Sequence, residues 1–119
     1  VGSSYHVFGD AAGGAALSKG DIDAAERYFN GKLDFADLNN RCVYLALKGR
    51  IDEAEDTCIS AIDLASSQRM SVRRRAIPKI EANLKKSEEE ILKRKNVISK
   101  EELDKKVKDF QEKLQNFRN

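Results

Sequence analysis

The stretch Lys19-Gly20-Asp21-Ile22-Asp23-Ala24-Ala25-Glu26 recurs 29 residues later as Lys48-Gly49-Arg50-Ile51-Asp52-Glu53-Ala54-Glu55, with six of the eight positions identical. Glycine closes a helix because it enters the left-handed conformation at no steric cost, and an aspartate just beyond it sets a carboxylate near the open amides of the next helix. Each copy therefore predicts a helix, a tight corner at Gly20 or Gly49, and a second helix that starts near Asp23 or Asp52. Ile22 and Ile51 are placed to fold over the corner. Ala25 and Ala54 are small enough for the paired helices to approach closely.

Working outward from each corner, the spacing glycine, apolar residue, alanine and large apolar residue continues through Gly20, Ile22, Ala25, Phe29 and Leu33. In the second copy it continues through Gly49, Ile51, Ala54, Cys58, Ala61 and Ile62. This pattern resembles the second half of a tetratricopeptide repeat, over roughly residues 9–65. The family's period is about 34 residues; the shorter spacing leaves about five residues out between the corners, and Asp37 stands near the place of the family's closing proline. The first helix of copy one is rich in glycine and alanine (Gly9, Ala11, Ala12, Gly13, Gly14, Ala15, Ala16), and each interior glycine costs about 1 kcal/mol, so a helix that is short, frayed or completed by something upstream is expected there.

Charge divides the chain. Residues 1–66 hold six Lys/Arg against eleven Asp/Glu, a net of −5, and residues 67–119 hold sixteen against nine, a net of +7. Two units are expected at that division: tetratricopeptide-like hairpins over 1–66 and a C-terminal extension over 67–119. In the basic part, Met70, Val72 and Ile77 are expected to face inward up to Pro78, which stops one helix or opens the next. Ile80, Leu84, Ile91 and Leu92 then recur at helical spacing. Asn96 and Val97 break the run, and Ser99 with Glu102 reads as a capping box that starts a new helix at Lys100. On that helix Leu103, Val107, Phe110, Leu114 and Phe117 fall on one stripe, which a fold back onto the preceding helix would cover as a third hairpin. The expected fold is all-α: stacked antiparallel helical hairpins with a charged C-terminal hairpin. Two repeat copies are fewer than the roughly three that such stacks need, and the C-terminal hairpin supplies the missing layer.

Composition narrows the rest. An apolar share of 40%, a charged share of 35%, seven glycines and one proline in 119 residues suit a helix-rich domain and exclude collagen-like or wholly disordered chains. No apolar run approaches the roughly 18 residues of a membrane span, and residues 1–8 lack the basic and apolar segments of an export signal. A chain that starts at Val1 is expected to be a processed product or an excised piece. The frequency of Lys, Ile and Asn suits a bacterial source.

Chemistry-bearing clusters are few. His6, the single histidine, lies near a terminus with no nucleophile in an activating motif, and it reads as a surface residue. Gly13-Gly14 lacks the lysine and strand of a phosphate loop, and Glu88, Glu89 and Glu90 read as a helix surface. Cys42 and Cys58, sixteen apart, either bridge the hairpin or are two small buried hydrophobes; the second is the simpler reading. They and His6 are too few for a metal site, and no cofactor is expected. Arg73-Arg74-Arg75 point in different directions on a helix and read as a solvated face; the rival reading is a nucleic-acid or anionic-surface site in the basic half, and nucleic acid is the less favoured partner.

The resemblance implies a function. In tetratricopeptide-like arrays the first helix of each hairpin lines a groove for a peptide or a partner's helix. By position this gives Asn39, Asn40, Val43, Ala46 and Leu47 the groove side of a helix over 37–48. An asparagine at position 40 can pair with both the donor and the acceptor of a peptide backbone, although Asn39 and Asn40 equally suit a helix start. Phe110 and Phe117 form a second candidate docking face. The implied function is non-catalytic protein–protein interaction, as a scaffold or assembly factor.

Overall fold

The computed structural model describes residues 5–118, with the side chains at 98 and 99 excepted. Every regular element among these residues is helical: α1 (Gly14–Ser18), α2 (Ile22–Ala25) running into a 3₁₀ turn (Glu26–Phe29), α3 (Phe35–Leu47), α4 (Ile51–Ser66) and α5 (Met70–Arg118). The chain divides into two units, Val1–Glu89 and Glu90–Asn119. The expected boundary lay at residue 66. It falls later because the first turns of α5 carry a buried row, Ala76, Ile80, Asn83 and Ser87, that belongs to the first unit.

Both glycine corners are bends of one construction. Gly20 has φ of 80° and Gly49 of 82°. At the first corner the Gly20 amide donates to the Leu17 carbonyl and the Asp21 amide to Ala16; at the second, Gly49 donates to Ala46 and Arg50 to Leu45. These paired bonds satisfy carbonyls that the ending helix leaves open, which is why a left-handed residue is required at each corner. Lys48 then reaches Asp23 across 2.7 Å and ties the corners together. The hydrogen bond and the opposite charge pull the Asp23 carboxyl below its usual range and push the Lys48 ammonium up. Asp23 therefore serves the other corner; the cap on α2 comes from Asp21, which accepts from the Ala24 amide.

Helix α3 begins at a full capping box, in which Asp34 accepts from the Asp37 amide and Asp37 from the Asp34 amide. It packs along α4, whose inner row Ala54, Cys58, Ala61 and Ala65 is small throughout and fully buried. Small side chains bring the two backbones close enough for a disulfide: Cys42 and Cys58 are bridged, with Cα atoms 5.4 Å apart. The simpler reading of two unlinked hydrophobes is thus replaced by a covalent cross-link in the same buried seam. α1 has five residues, the short first helix expected of so many glycines.

The expected third hairpin is absent. α5 runs as helix from Met70 to Arg118, through Pro78 and through Asn96, Val97 and Lys100. Beyond Pro78 the sequence contains no glycine or proline, and Asn or Val in a helix costs at most about 0.7 kcal/mol each, too little to end one. Pro78 deprives the Arg74 carbonyl of its partner, and both residues are exposed, so water can serve that oxygen. The capping role assigned to the Ser99 side chain lies outside the described residues. Of the residues expected inward, Met70 is exposed and Val72 and Ile77 are half-buried; in the row at helical spacing Ile80 is buried, Leu84 and Ile91 are half-buried and Leu92 is exposed.

Two stability measurements follow from this framework. Reducing the Cys42–Cys58 bridge, which closes a loop of sixteen residues, should lower the unfolding free energy by about 3 kcal/mol in urea titrations with and without reductant. Gly20→Ala should cost about 1–2 kcal/mol, because nothing lies within 4 Å of the added carbon and only the left-handed backbone resists it.

Candidate functional site: a buried asparagine clamp

The side chains that sequence reasoning set on the groove face of α3 are covered. Asn39, Asn40, Val43 and Ala46 are buried and Leu47 is half-buried. What covers the asparagines is the chain's own beginning. Asn39 and Asn40 lie inside α3, well past its Asp34 cap, so they do not start the helix. Their amides point at residues 6–12.

Asn40 meets Phe8 as a neighbouring strand would. Its Oδ1 accepts from the Phe8 amide at 2.8 Å and its Nδ2 donates to the Phe8 carbonyl at 2.8 Å. The second Nδ2 proton goes to the Ala12 carbonyl at 3.1 Å. Two residues earlier, Asn83 of α5 repeats the arrangement on His6, accepting from its amide at 2.8 Å and donating to its carbonyl at 2.7 Å. Alternate residues of an extended chain turn both polar groups to one side, so residues 6 and 8 suit two amides in a row.

Asn39 links the two grips. It donates to the His6 carbonyl at 3.0 Å and to Asn40 Oδ1 at 3.4 Å, and its own oxygen accepts from Asn83 Nδ2 at 2.7 Å. All three asparagines are fully buried, and a buried amide is tolerated only when its donors and acceptors are paired. Asp37 extends the row by accepting from the Ala12 amide at 2.8 Å.

The Phe8 ring is anchored as well. Phe8 stands edge-on to Phe35, with centroids 6.2 Å apart, and Lys79 Nζ lies 5.2 Å from its ring centre. The chain then turns sharply into α1, and the double glycine explains itself there. A side chain on Gly14 would come within 2.3 Å of the Phe8 carbonyl oxygen, and one on Gly13, at φ of 72°, within 2.7 Å of the Phe29 ring.

His6 contributes backbone to the site, and its imidazole is exposed. Arg73 is half-buried and reaches the Ser66 carbonyl at 3.5 Å, with its buried Nε unbonded; Arg74 and Arg75 are exposed. Among the described residues no group of three His, Cys, Asp or Glu side chains stands close enough to hold a metal, and no helix is long and apolar enough to cross a membrane. In the second unit Phe110 is 62% and Phe117 90% exposed.

Sequence reasoning passed over Asn83. Its signal was available: it occupies the inward row Ala76, Ile80, Asn83, Ser87 at spacings of four, three and four, where a polar residue demands a buried partner. No family model, curated protein or solved structure matches the chain.

The clamp reads backbone, and substitution should separate that from side-chain chemistry. Asn83→Ala leaves the His6 amide and the Asn39 oxygen buried without partners and should lower stability by about 2 kcal/mol. His6→Ala removes only an exposed side chain and should change it by less than about 0.5 kcal/mol. Equal losses for the two variants in urea unfolding would contradict the backbone role.

Proposed function

We propose that this chain is a non-catalytic protein–protein interaction module of tetratricopeptide-like build, whose partner is an amphipathic helix laid along Leu103, Val107, Phe110, Leu114 and Phe117. One observation carries the reading: these five side chains, on one stripe of a continuous helix, are between 41% and 90% exposed. The sequence makes a face that needs a cover, and the third hairpin that would have provided it is absent. Exposed apolar patches of this kind mark interaction sites. The shared construction of the Gly20 and Gly49 corners supports the repeat-like build.

Charge beside the stripe supports a foreign helix over a second copy. Asp104, Lys106, Gln111, Lys113 and Arg118 flank the apolar row, three of the five basic and one acidic. In a parallel pair of copies, Lys113 of one would face Arg118 of the other and be repelled. A helix with Glu or Asp at its flanks meets the same positions favourably. The Cys42–Cys58 bridge further supports a working place with oxidising surroundings.

The test uses the full chain and two designed helical peptides with the same leucine stripe, one flanked by glutamate and one by lysine. The glutamate-flanked peptide should bind roughly ten-fold more tightly by fluorescence anisotropy, and Phe110→Ser should remove the binding. Indifference to flank charge, or a stable dimer in sedimentation that Phe110→Ser dissolves, would overturn the proposal.

A further inference from the structure

We infer that residues 5–12 are a self-ligand: the cleft between α3 and the first turns of α5 is a site for an extended peptide with an aromatic anchor, and the chain's own N-terminal segment occupies it in competition with partners. This site lies wholly in the first unit and is independent of the stripe in the second.

The recognition is of a kind that can be transferred. Asn39, Asn40 and Asn83 engage the main-chain atoms of His6, Phe8 and Ala12, which every peptide has. The His6 side chain is exposed and Val7 is half-buried, so neither identity is dictated by burial. Selectivity rests on position 8. There the perpendicular contact with Phe35 and the ammonium of Lys79 both favour an aromatic ring, since a cation gains from a π face and an aliphatic side chain offers none. A cavity of about 290 Å³ adjoins the ring, bounded by Phe35, Ala36, Val72, Arg75, Ala76 and Lys79. Phe8 leaves that space unfilled, and a partner's larger aromatic side chain would enter it. The ligand class is therefore an extended segment of another protein, with its aromatic residue two positions after the one held by Asn83.

Occupation in cis sets the threshold. The segment is tethered to its own cleft, so its effective concentration is high and an incoming peptide is held off by the fraction of time the cleft stands open. Release needs only residues 5–8 to peel away. Opening breaks the bond from the Ala11 amide to the Phe8 carbonyl, while the rest of the turn stays fixed by the Gly14 amide on the Ala11 carbonyl and by Asp37 on the Ala12 amide. Once peeled, the three amides face water and are solvated, so opening is local and leaves the seam of α3 with α4 intact.

The probe is a fluorescein-labelled octapeptide of residues 5–12, Tyr-His-Val-Phe-Gly-Asp-Ala-Ala, titrated against the full chain. Phe8→Ala weakens the cis occupant and should bind the probe at least about ten-fold more tightly than wild type. The same peptide N-methylated at its phenylalanine, which lacks the proton Asn40 accepts, should lose about ten-fold, and so should the peptide with alanine for phenylalanine. A helical Phe8→Ala chain that binds no better than wild type, or that takes the N-methylated peptide equally well, overturns the proposal. Should Phe8→Ala fail to fold, hydrogen exchange on the wild type decides. The His6 and Phe8 amides should exchange at least about a hundred-fold faster than those of Val43 and Leu45. Exchange of all four at one rate would mean that the segment leaves only when the protein unfolds, and no displaceable ligand exists.

Discussion

Three primary amides buried in one place govern how the first unit is assembled. An unpaired buried amide costs several kcal/mol, and α3 and α5 bring Asn39, Asn40 and Asn83 together without enough partners among themselves. The missing partners are the main-chain groups of His6, Phe8 and Ala12. The N-terminal segment is therefore required by the helices as much as it is positioned by them. The network also fixes register. A slip of one residue would turn the amide and carbonyl of residues 6 and 8 away from the clamp, leaving all three side chains unsatisfied.

Two other constraints hold the frame in which this network forms. The glycine corners end α1 and α3 with the same pair of bonds, and the ion pair of Lys48 with Asp23 joins them at the surface. The seam of α3 with α4 is made of side chains small enough for a disulfide to span it. α1, at five residues, is far below the length at which a helix holds in isolation, and it persists because its glycines let residues 8 and 9 cross its first turn. Intrinsic helix stability is given up there in exchange for a close backbone crossing that no other residue permits.

α5 carries a row of different chemistry in each of the two units. Its first turns present Ala76, Ile80, Asn83 and Ser87, a row half apolar and half polar, which suits a cleft filled by peptide backbone. From residue 103 the row is apolar throughout and exposed. Both readings of function follow from this difference in chemistry: a backbone-reading cleft for an extended chain, and a side-chain-reading stripe for a helix.

What the sequence by itself determined is local. A doubled glycine motif implied the two corners, because the left-handed conformation is a property of one residue and its neighbours. Helical spacing implied the all-helical composition and the stripe from Leu103 to Phe117. Asn40 could be singled out as a residue able to grip a backbone, but not what it grips, since Phe8 lies 32 positions away and nothing local couples them. The pairing of Asn83 with His6, 77 positions apart, was equally beyond reach. The continuity of α5 depended on a balance of small propensities, where Asn96 and Val97 looked like a break and were not one. The bridge between Cys42 and Cys58 needed a Cα approach that only the packed helices supply. Tertiary structure decided which polar groups are buried together, because the cost of leaving them unpaired is felt only when distant segments have already met.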